Sequence, residues 1–190
     1  MKKSLSEIYK EMGIQFTFPI RIKNNQGKET YYEDSNGFWI RSEYDAAGNE
    51  TYYEDNDGDW ARWEYDECGK KTYYENSTGF WVRREYDECG KETYYESSIG
   101  YWERWEYDKH GKLTYFKDSD GYWRRCEYDE QGNETYYENS DGCWIRREYD
   151  ERGKQTYSEN SDGYKSGTKR KTCAGKIVTI DGKQYKLIET

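Results

Sequence analysis

The chain has little of what normally builds a globular interior. Its 190 residues include 3 Leu, 10 Ile, 2 Val and 5 Phe, so these four types fall below the ~20% at which a highly charged chain is ordinarily read as disordered. A conventional aliphatic core is excluded. No hydrophobic run approaches the ~18 residues of a membrane helix, and Met1–Ile20 holds no apolar segment followed by a small-residue cleavage site; the sequence therefore reads as soluble, unsecreted and cytoplasmic, with no membrane partner. There is one Pro and one His. The histidine, His110, occupies a slot filled in other copies of a repeat by Ala47, Cys68, Cys89, Gln131 and Arg152, and an essential base is not expected at an interchangeable position. The five cysteines form an odd set without a CxxC pair and read as thiols. The expectation is a protein that is not an enzyme and that uses neither metal nor cofactor.

What the chain has in excess is aromatic rings and charge. It carries 23 Tyr, 8 Trp, 39 acids and 30 Lys plus Arg, for a net charge of −9. Each Tyr or Trp can bury on the order of 150–250 Å² while keeping a polar handle, so rings must supply the packing.

Glycines at Gly27, Gly48, Gly69, Gly90, Gly111, Gly132 and Gly153 recur every 21 residues. Thr30, Tyr31 and Gly37 each begin a series of seven in the same phase, and six copies keep Trp, Arg, Glu, Tyr and Asp in the order of Trp39, Arg41, Glu43, Tyr44 and Asp45. Periodicity of this length marks a stacked array. Each copy holds two β-prone runs, such as Glu29–Asp34 and Phe38–Asp45, separated by two turn signals. Ser-Asn-Gly or Ser-Asp-Gly offers the positive φ of a hairpin loop; Asp-x-x-Gly offers the ends of a type I turn. Within the copies no 3.6-residue period is present, which excludes helices there. The expected fold is all-β, an antiparallel up-and-down meander of about 13 strands in an elongated, twisted sheet.

The segment 1–26 reads as an N-terminal cap. Ser4-Leu5-Ser6-Glu7 spells a capping box ahead of an amphipathic helix with Ile8, Tyr9 and Met12, and Phe16, Phe18, Ile20 and Ile22 alternate as a strand. The array spans 27–164. Residues 165–190 read as a basic connector and a C-terminal hairpin cap, Ile177–Ile180 and Lys183–Ile188 around Asp181-Gly182. Such caps close the exposed ends of repeat arrays.

Alternation puts Trp39, Arg41, Glu43 and Asp45 on one face of the second strand and Phe38, Ile40, Ser42 and Tyr44 on the other. The first face is repetitive, and its Arg and Glu rows read as ion pairs. The second varies from copy to copy and carries two extra rings, Trp63 and Trp105. The face of first-strand residues such as Tyr31 and Tyr32 is left open, because a bulge at a turn would exchange them. Asp55-Asn56-Asp57-Gly58-Asp59 resembles a calcium loop superficially, but Trp60 and Asp66 stand where an EF-hand needs Gly and a bidentate Glu; turn chemistry accounts for it better.

Charge is unevenly spread. Residues 27–152 hold 33 acids and 17 bases, whereas 1–26 is basic, and the second copy, Gly48–Cys68, has eight acids against the single base Arg62. Such an array repels nucleic acid and attracts a basic protein surface.

The unit EYDxxGxxTYYENSDGxW resembles the YD repeats of Rhs-type proteins, matched at Tyr44, Asp45, Gly48 and Thr51 and in each later copy. It is also similar to MORN-type repeats rich in Tyr-Tyr-Glu-Asn, to repeat proteins of tailed phages and bacteria and, more weakly, to cell-wall choline-binding repeats. The resemblance covers 27–164 and implies an antiparallel β meander without an activity; the toxin-enclosing shell of large Rhs proteins does not carry over to so short a chain. Together these features point to a β-repeat scaffold that binds a protein partner through an acidic, aromatic surface. The phage likeness implies a counter-defence inhibitor acting in the host cytoplasm by mimicking nucleic acid. The residues expected to carry the binding are Trp63, Trp105, Asp55, Asp57 and Asp59. Two alternatives are a carbohydrate-binding repeat protein and a self-assembling structural component.

Overall fold

A computed structural model describes residues 3–169, 177–180 and 183–186. The chain falls into two compact units, 1–105 with 118–120, and 106–117 with 121–190. The division runs through the repeat array. In the first, helix α1 (Leu5–Glu11) precedes β1 (Ile20–Lys23), β2 (Glu29–Glu33), β3 (Trp39–Tyr44), β4 (Glu50–Asp55), β5 (Trp60–Tyr65), β6 (Lys71–Asn76), β7 (Trp81–Tyr86), β8 (Glu92–Ser97) and β9 (Trp102–Tyr107). The second holds β10 (Leu113–Asp118), β11 (Trp123–Tyr128), β12 (Glu134–Asn139), β13 (Trp144–Tyr149), β14 (Gln155–Asn160) and β15 (Lys165–Gly167), with β16 (Ile177–Ile180) and β17 (Lys183–Lys186) paired as a separate two-stranded sheet. In each unit the long sheet is an antiparallel meander in chain order. Residues 27–164 supply 13 strands, β2 to β14. Lys165–Gly167, expected in the connector, adds one more strand to the array. The C-terminal hairpin forms, with Ile180 opposite Lys183; its two turn residues and Leu187–Ile188 lie outside the described residues.

The two turn signals of each copy build one geometry. Asp34 Oδ1 accepts the amides of Asn36 (2.8 Å) and Phe38 (3.1 Å), and Asp66 Oδ1 those of Cys68 and Lys70 (both 2.9 Å). In both, the first residue's amide donates to the fifth residue's carbonyl and the fourth is a Gly. Gly48 (φ +87°) and Gly58 (φ +89°) show why only Gly recurs there, since a Cβ at such angles strains the backbone. The hairpin signal therefore starts one residue earlier than the Ser-Asn-Gly triplet, at an Asp or Asn whose side chain closes the loop.

The recurring Thr and Tyr have equally local reasons. The register shifts between Glu43 and Tyr44, which face Tyr52 and Glu50, so Thr51 is left as the extra residue of a β-bulge; the same shift recurs at Glu64/Tyr65 and Glu85/Tyr86. The bulged Thr donates its hydroxyl back across the ladder, as Thr114 does to the Glu106 carbonyl (3.1 Å) and Thr156 to that of Glu148 (3.2 Å). Each Tyr before the Asp donates to a carbonyl fifteen residues upstream: Tyr44 to Glu29 (3.2 Å), Tyr65 to Glu50 (2.8 Å), Tyr128 to Leu113 (3.0 Å). These two side chains thus supply hydrogen bonds to backbone carbonyls near the bulge, where the ladder is locally disrupted.

The bulge also settles the faces. Tyr31 pairs with Arg41 and Glu33 with Trp39 on the repetitive face, while Tyr32 pairs with Ile40 on the varied one. The varied face holds most of the buried small side chains. Among the described residues the buried apolar side chains are Ile20, Trp39, Ala61, Val82, Cys126 and Tyr157, with Ser42 also buried; Ala61, Val82, Cys126 and Ser42 all belong to the varied phases. Large rings pack on the same face: Trp63 against Tyr74 (5.9 Å), Tyr74 against Phe80 (6.3 Å), Tyr95 against Tyr101 (6.2 Å) and Phe116 against Tyr122 (6.1 Å). Ala61 and Val82 are the cross-strand neighbours of Tyr53 and Tyr74, so small and large residues alternate across the ladder.

Helix α1 carries the expected capping box, with Ser4 Oγ accepting from the Glu7 amide and Glu7 accepting from the Ser4 amide. Its docking face is polar, however, and Met12 is 67% exposed. Ser4 and Ser6 are buried against Glu33, which is 0% exposed. Glu33 Oε2 accepts the Ser6 amide (3.0 Å) and the Tyr31 hydroxyl (2.9 Å), and that hydroxyl also accepts the Leu5 amide (3.0 Å). The expected strand through Phe16 and Phe18 is not formed. Pro19 lacks the amide a ladder needs, so pairing starts at Ile20, and Phe16 packs on Tyr9 (6.0 Å) and Phe18 (5.2 Å).

Candidate protein-binding surface

The repetitive face presents rows of charge. Arg41–Glu43, Arg83–Glu85 and Arg125–Glu127 pair along one strand at 2.7 Å, and Arg62–Glu75 pairs across strands at 2.6 Å. These side chains are half-exposed or more, apart from Glu75, so each pair contributes about 0–1 kcal/mol. Arg62 lies over the Tyr73 ring (5.3 Å) and Arg146 over Tyr136 (5.8 Å). At turn ends the lysine after Gly covers the motif tyrosine, with Lys28 over Tyr44, Lys70 over Tyr86 and Lys112 over Tyr128. Most bases of the array are thus matched internally. Outward acids remain in the turns, as at Asp57 and Asp59, and on strands, as at Glu64 and Glu106.

Asp55, Asp57 and Asp59 share the turn between β4 and β5, but they are not equivalent. Asp55 is buried, its Oδ1 accepting the Asp57 (3.0 Å) and Asp59 (3.1 Å) amides and its Oδ2 the Tyr53 hydroxyl (2.9 Å). That arrangement is the turn chemistry expected of the segment. With Asp59 nearby as well, burial pushes Tyr53 up to about 12, aided by its bond to Asp55. Asp57 and Asp59 are exposed; Asp59 accepts the Ser77 hydroxyl (2.8 Å). Trp63 stands four residues further along the same hairpin on the varied face, half-buried, with Lys71 Nζ 5.3 Å over its ring. Trp105, also half-buried, is two copies away on β9. Four strands at ~4.8 Å each separate it from Trp63 by roughly 19 Å across the sheet.

Equivalent positions form a groove in each compact unit. Thr72, Tyr73, Arg83 and Glu85 line one of about 370 Å³ in the first; Thr114, Tyr115, Arg125 and Glu127 line one of about 530 Å³ in the second. His110 sits exposed in its turn, its amide donating to Asp108 Oδ1 (2.8 Å). Among the described cysteines, Cys68, Cys89 and Cys143 are exposed thiols and Cys126 is buried, with burial pushing the Cys126 thiol up.

Sequence reading missed Glu33. It differs from Glu54 and Glu75 only in being the first of its series, beside the helix. Burial pushes its carboxyl up, but the Ser6 hydroxyl and amide, Tyr31 and Ser4 outweigh that and hold it below the usual carboxylate range. The repeat-equivalent residue at the other end, Glu159, accepts from Tyr157 (2.9 Å) and pairs with Lys169 (3.5 Å) and Lys165 (3.8 Å); the Tyr157 bond leads, and it too is held low. A group whose folded carboxyl is depressed stabilises the fold above its unfolded range and ceases to do so as pH falls through the folded value. Acidification below the ordinary carboxylate range should therefore release α1 from Glu33 and loosen the final strands. Hydrogen exchange at the Leu5 and Ser6 amides reads this directly; protection unchanged from neutral pH to pH 2 would show that the Glu33 carboxylate does not hold the helix.

No protein-family model matches the sequence, and no curated protein does. Solved structures do. The chain is similar to the crystal structure of TcdB2-TccC3 (14% identity, TM-score 0.43, 87% of this chain and 11% of that one), to the form without the hypervariable C-terminal region (13%, 0.43, 96% and 11%), and to the Photorhabdus luminescens Tc holotoxin pore carrying a TccC3 mutation (14%, 0.43, 87% and 10%). This chain spans about a tenth of their length. No helix among the described residues is long and apolar enough to cross a membrane.

Proposed function

We propose that the chain is a non-enzymatic β-repeat scaffold that binds a basic protein partner through its acidic, aromatic surface. The observation that carries this reading is the distribution of unmatched charge. Most arginines of the array, such as Arg62, are matched by neighbouring glutamates or rings, whereas Asp57 and Asp59 project from a copy with eight acids and one base. A basic groove that ordinarily holds phosphates is complementary to such a surface, and association would be accelerated by the field. In its specific form the partner is a nucleic-acid enzyme of a host, inhibited by occupation of that groove.

The test is a combined variant, Trp63→Ala, Trp105→Ala, Asp55→Asn, Asp57→Asn and Asp59→Asn. Asn already serves as the turn-closing residue at Asn76, Asn139 and Asn160, so the loop persists without its charge. Wild type is expected to retain a basic partner at low salt and to lose it as salt rises, because screening shortens the reach of exposed charges. Retention by the variant would reject the surface.

The equivalent grooves favour a second reading, in which a Tyr ring beside Arg and Glu holds a sugar in each. Saturable glycan binding abolished by Tyr73→Ala and Tyr115→Ala together would select it.

A further inference from the structure

A cavity of about 750 Å³ opens between α1 and the β4–β5 turn. Five carboxylates line it: Glu7, Glu33, Glu54, Asp55 and Asp57. The two lysines in its wall are directed elsewhere, Lys3 Nζ being held by Glu11 (2.6 Å) and Lys10 Nζ lying 6.0 Å over the Phe16 ring. The indole of Trp39, stacked on Tyr31 at 6.3 Å and 15°, forms another part of the wall. One acceptor stands out. Glu33 Oε1 is buried and accepts no well-formed hydrogen bond, whereas Oε2 of the same carboxylate accepts the Ser6 amide and the Tyr31 hydroxyl, and the Ser6 and Ser4 hydroxyls nearby help hold the carboxyl low. A charged oxygen in that condition is costly, and attraction across a low-dielectric wall is strong. Asp57 adds an exposed carboxylate on the rim, its Oδ1 bonded to the Asn56 side chain (3.2 Å).

We propose that this cavity receives the guanidinium of an arginine side chain presented by a basic protein partner. Resting on the reading of the acidic surface above, it names the group recognised and adds a site at the array's first end. A guanidinium suits the wall better than an ammonium, because it offers five donors to several carboxylates and a flat face to an indole. The cavity also accommodates the apolar stem.

Acetyl-arginine amide, titrated into the full chain and followed at the indole N–H resonances, is the probe. Saturable movement of the Trp39 signal is expected, with acetyl-lysine amide weaker and the neutral citrulline analogue silent. Asp57→Asn should weaken binding several-fold and Glu33→Gln by roughly tenfold, the loss of one charge pairing. The Glu33 substitution is isosteric and keeps an oxygen for Ser6 and Tyr31; unchanged Leu5 and Ser6 amide signals establish that α1 remains docked. Asp57→Asn leaves the turn intact and tests the site without Glu33. Citrulline binding as well as arginine, or affinity indifferent to both substitutions, overturns the proposal. If arginine fails while capture of a basic partner still depends on Trp63 and Trp105, the cavity is dismissed and the broader surface reading stands; arginine binding without any basic partner has the opposite consequence.

Discussion

Trp39→Ala is expected to destabilise the first unit by about 3–5 kcal/mol, the range for truncating a large buried ring. Trp39 is 9% exposed, stacks on Tyr31 and pairs across the ladder with Glu33, so its loss opens a void under the residues that dock α1. The equivalent Trp81, only half-buried, should cost less. Hydrogen exchange is the suitable measurement, because an array need not unfold in one step; protection should fall first at Leu5, Ser6 and Glu33. A loss under 1 kcal/mol would falsify the view that Trp39 is the main apolar support of that end.

A second large effect is expected at Val82, which is 5% exposed. Glu103 occupies the same phase one copy later, where Tyr101 donates its hydroxyl to Glu103 Oε1 at 2.7 Å. That bond leads in pushing Tyr101 up to about 12. In the Val82 copy the corresponding ring is Phe80, which packs on Tyr74. Val82→Glu alone should therefore cost about 3–5 kcal/mol as a buried charge without a partner. Phe80→Tyr in the same chain should restore about 1.5–3 kcal/mol, the worth of a hydrogen bond to a charged group. A double-mutant cycle measures the coupling. If the tyrosine restores nothing, the aromatic and central positions are not compensating one another.

Much of this architecture was legible in the residues. Gly48 and Asp45 announce a turn, Ser4 and Glu7 a helix start, and alternation from Trp39 to Glu43 a strand, because each depends on chemistry within a few residues. Register across the ladder was not legible. It hangs on the bulge at Thr51, and an inserted residue leaves no local mark except a hydroxyl whose partner lies on another strand. Nor did the variation at Ala61 and Val82 announce that both side chains are buried, because burial depends on what the neighbouring strands bring. Of the expected binding residues, Asp57 and Asp59 are exposed. Asp55 is consumed by its own turn, and neither its spacing nor its charge distinguished it from them. The polar docking face of α1 was hidden because helical patterning reports where apolar groups lie, and this helix seats itself through serines and amides.

The separate treatment of Glu33 and Glu159 bears on how such a protein can change over time. Each terminal glutamate is answered by a segment outside the copies, the serines of α1 at one end and Lys165 with Lys169 at the other. The equivalent glutamate of an interior copy, Glu75, pairs instead with Arg62 of the copy before it. Unequal recombination could then add or remove 21-residue blocks while both finishing segments stay matched, so that copy number is inherited as a variable independent of the fold.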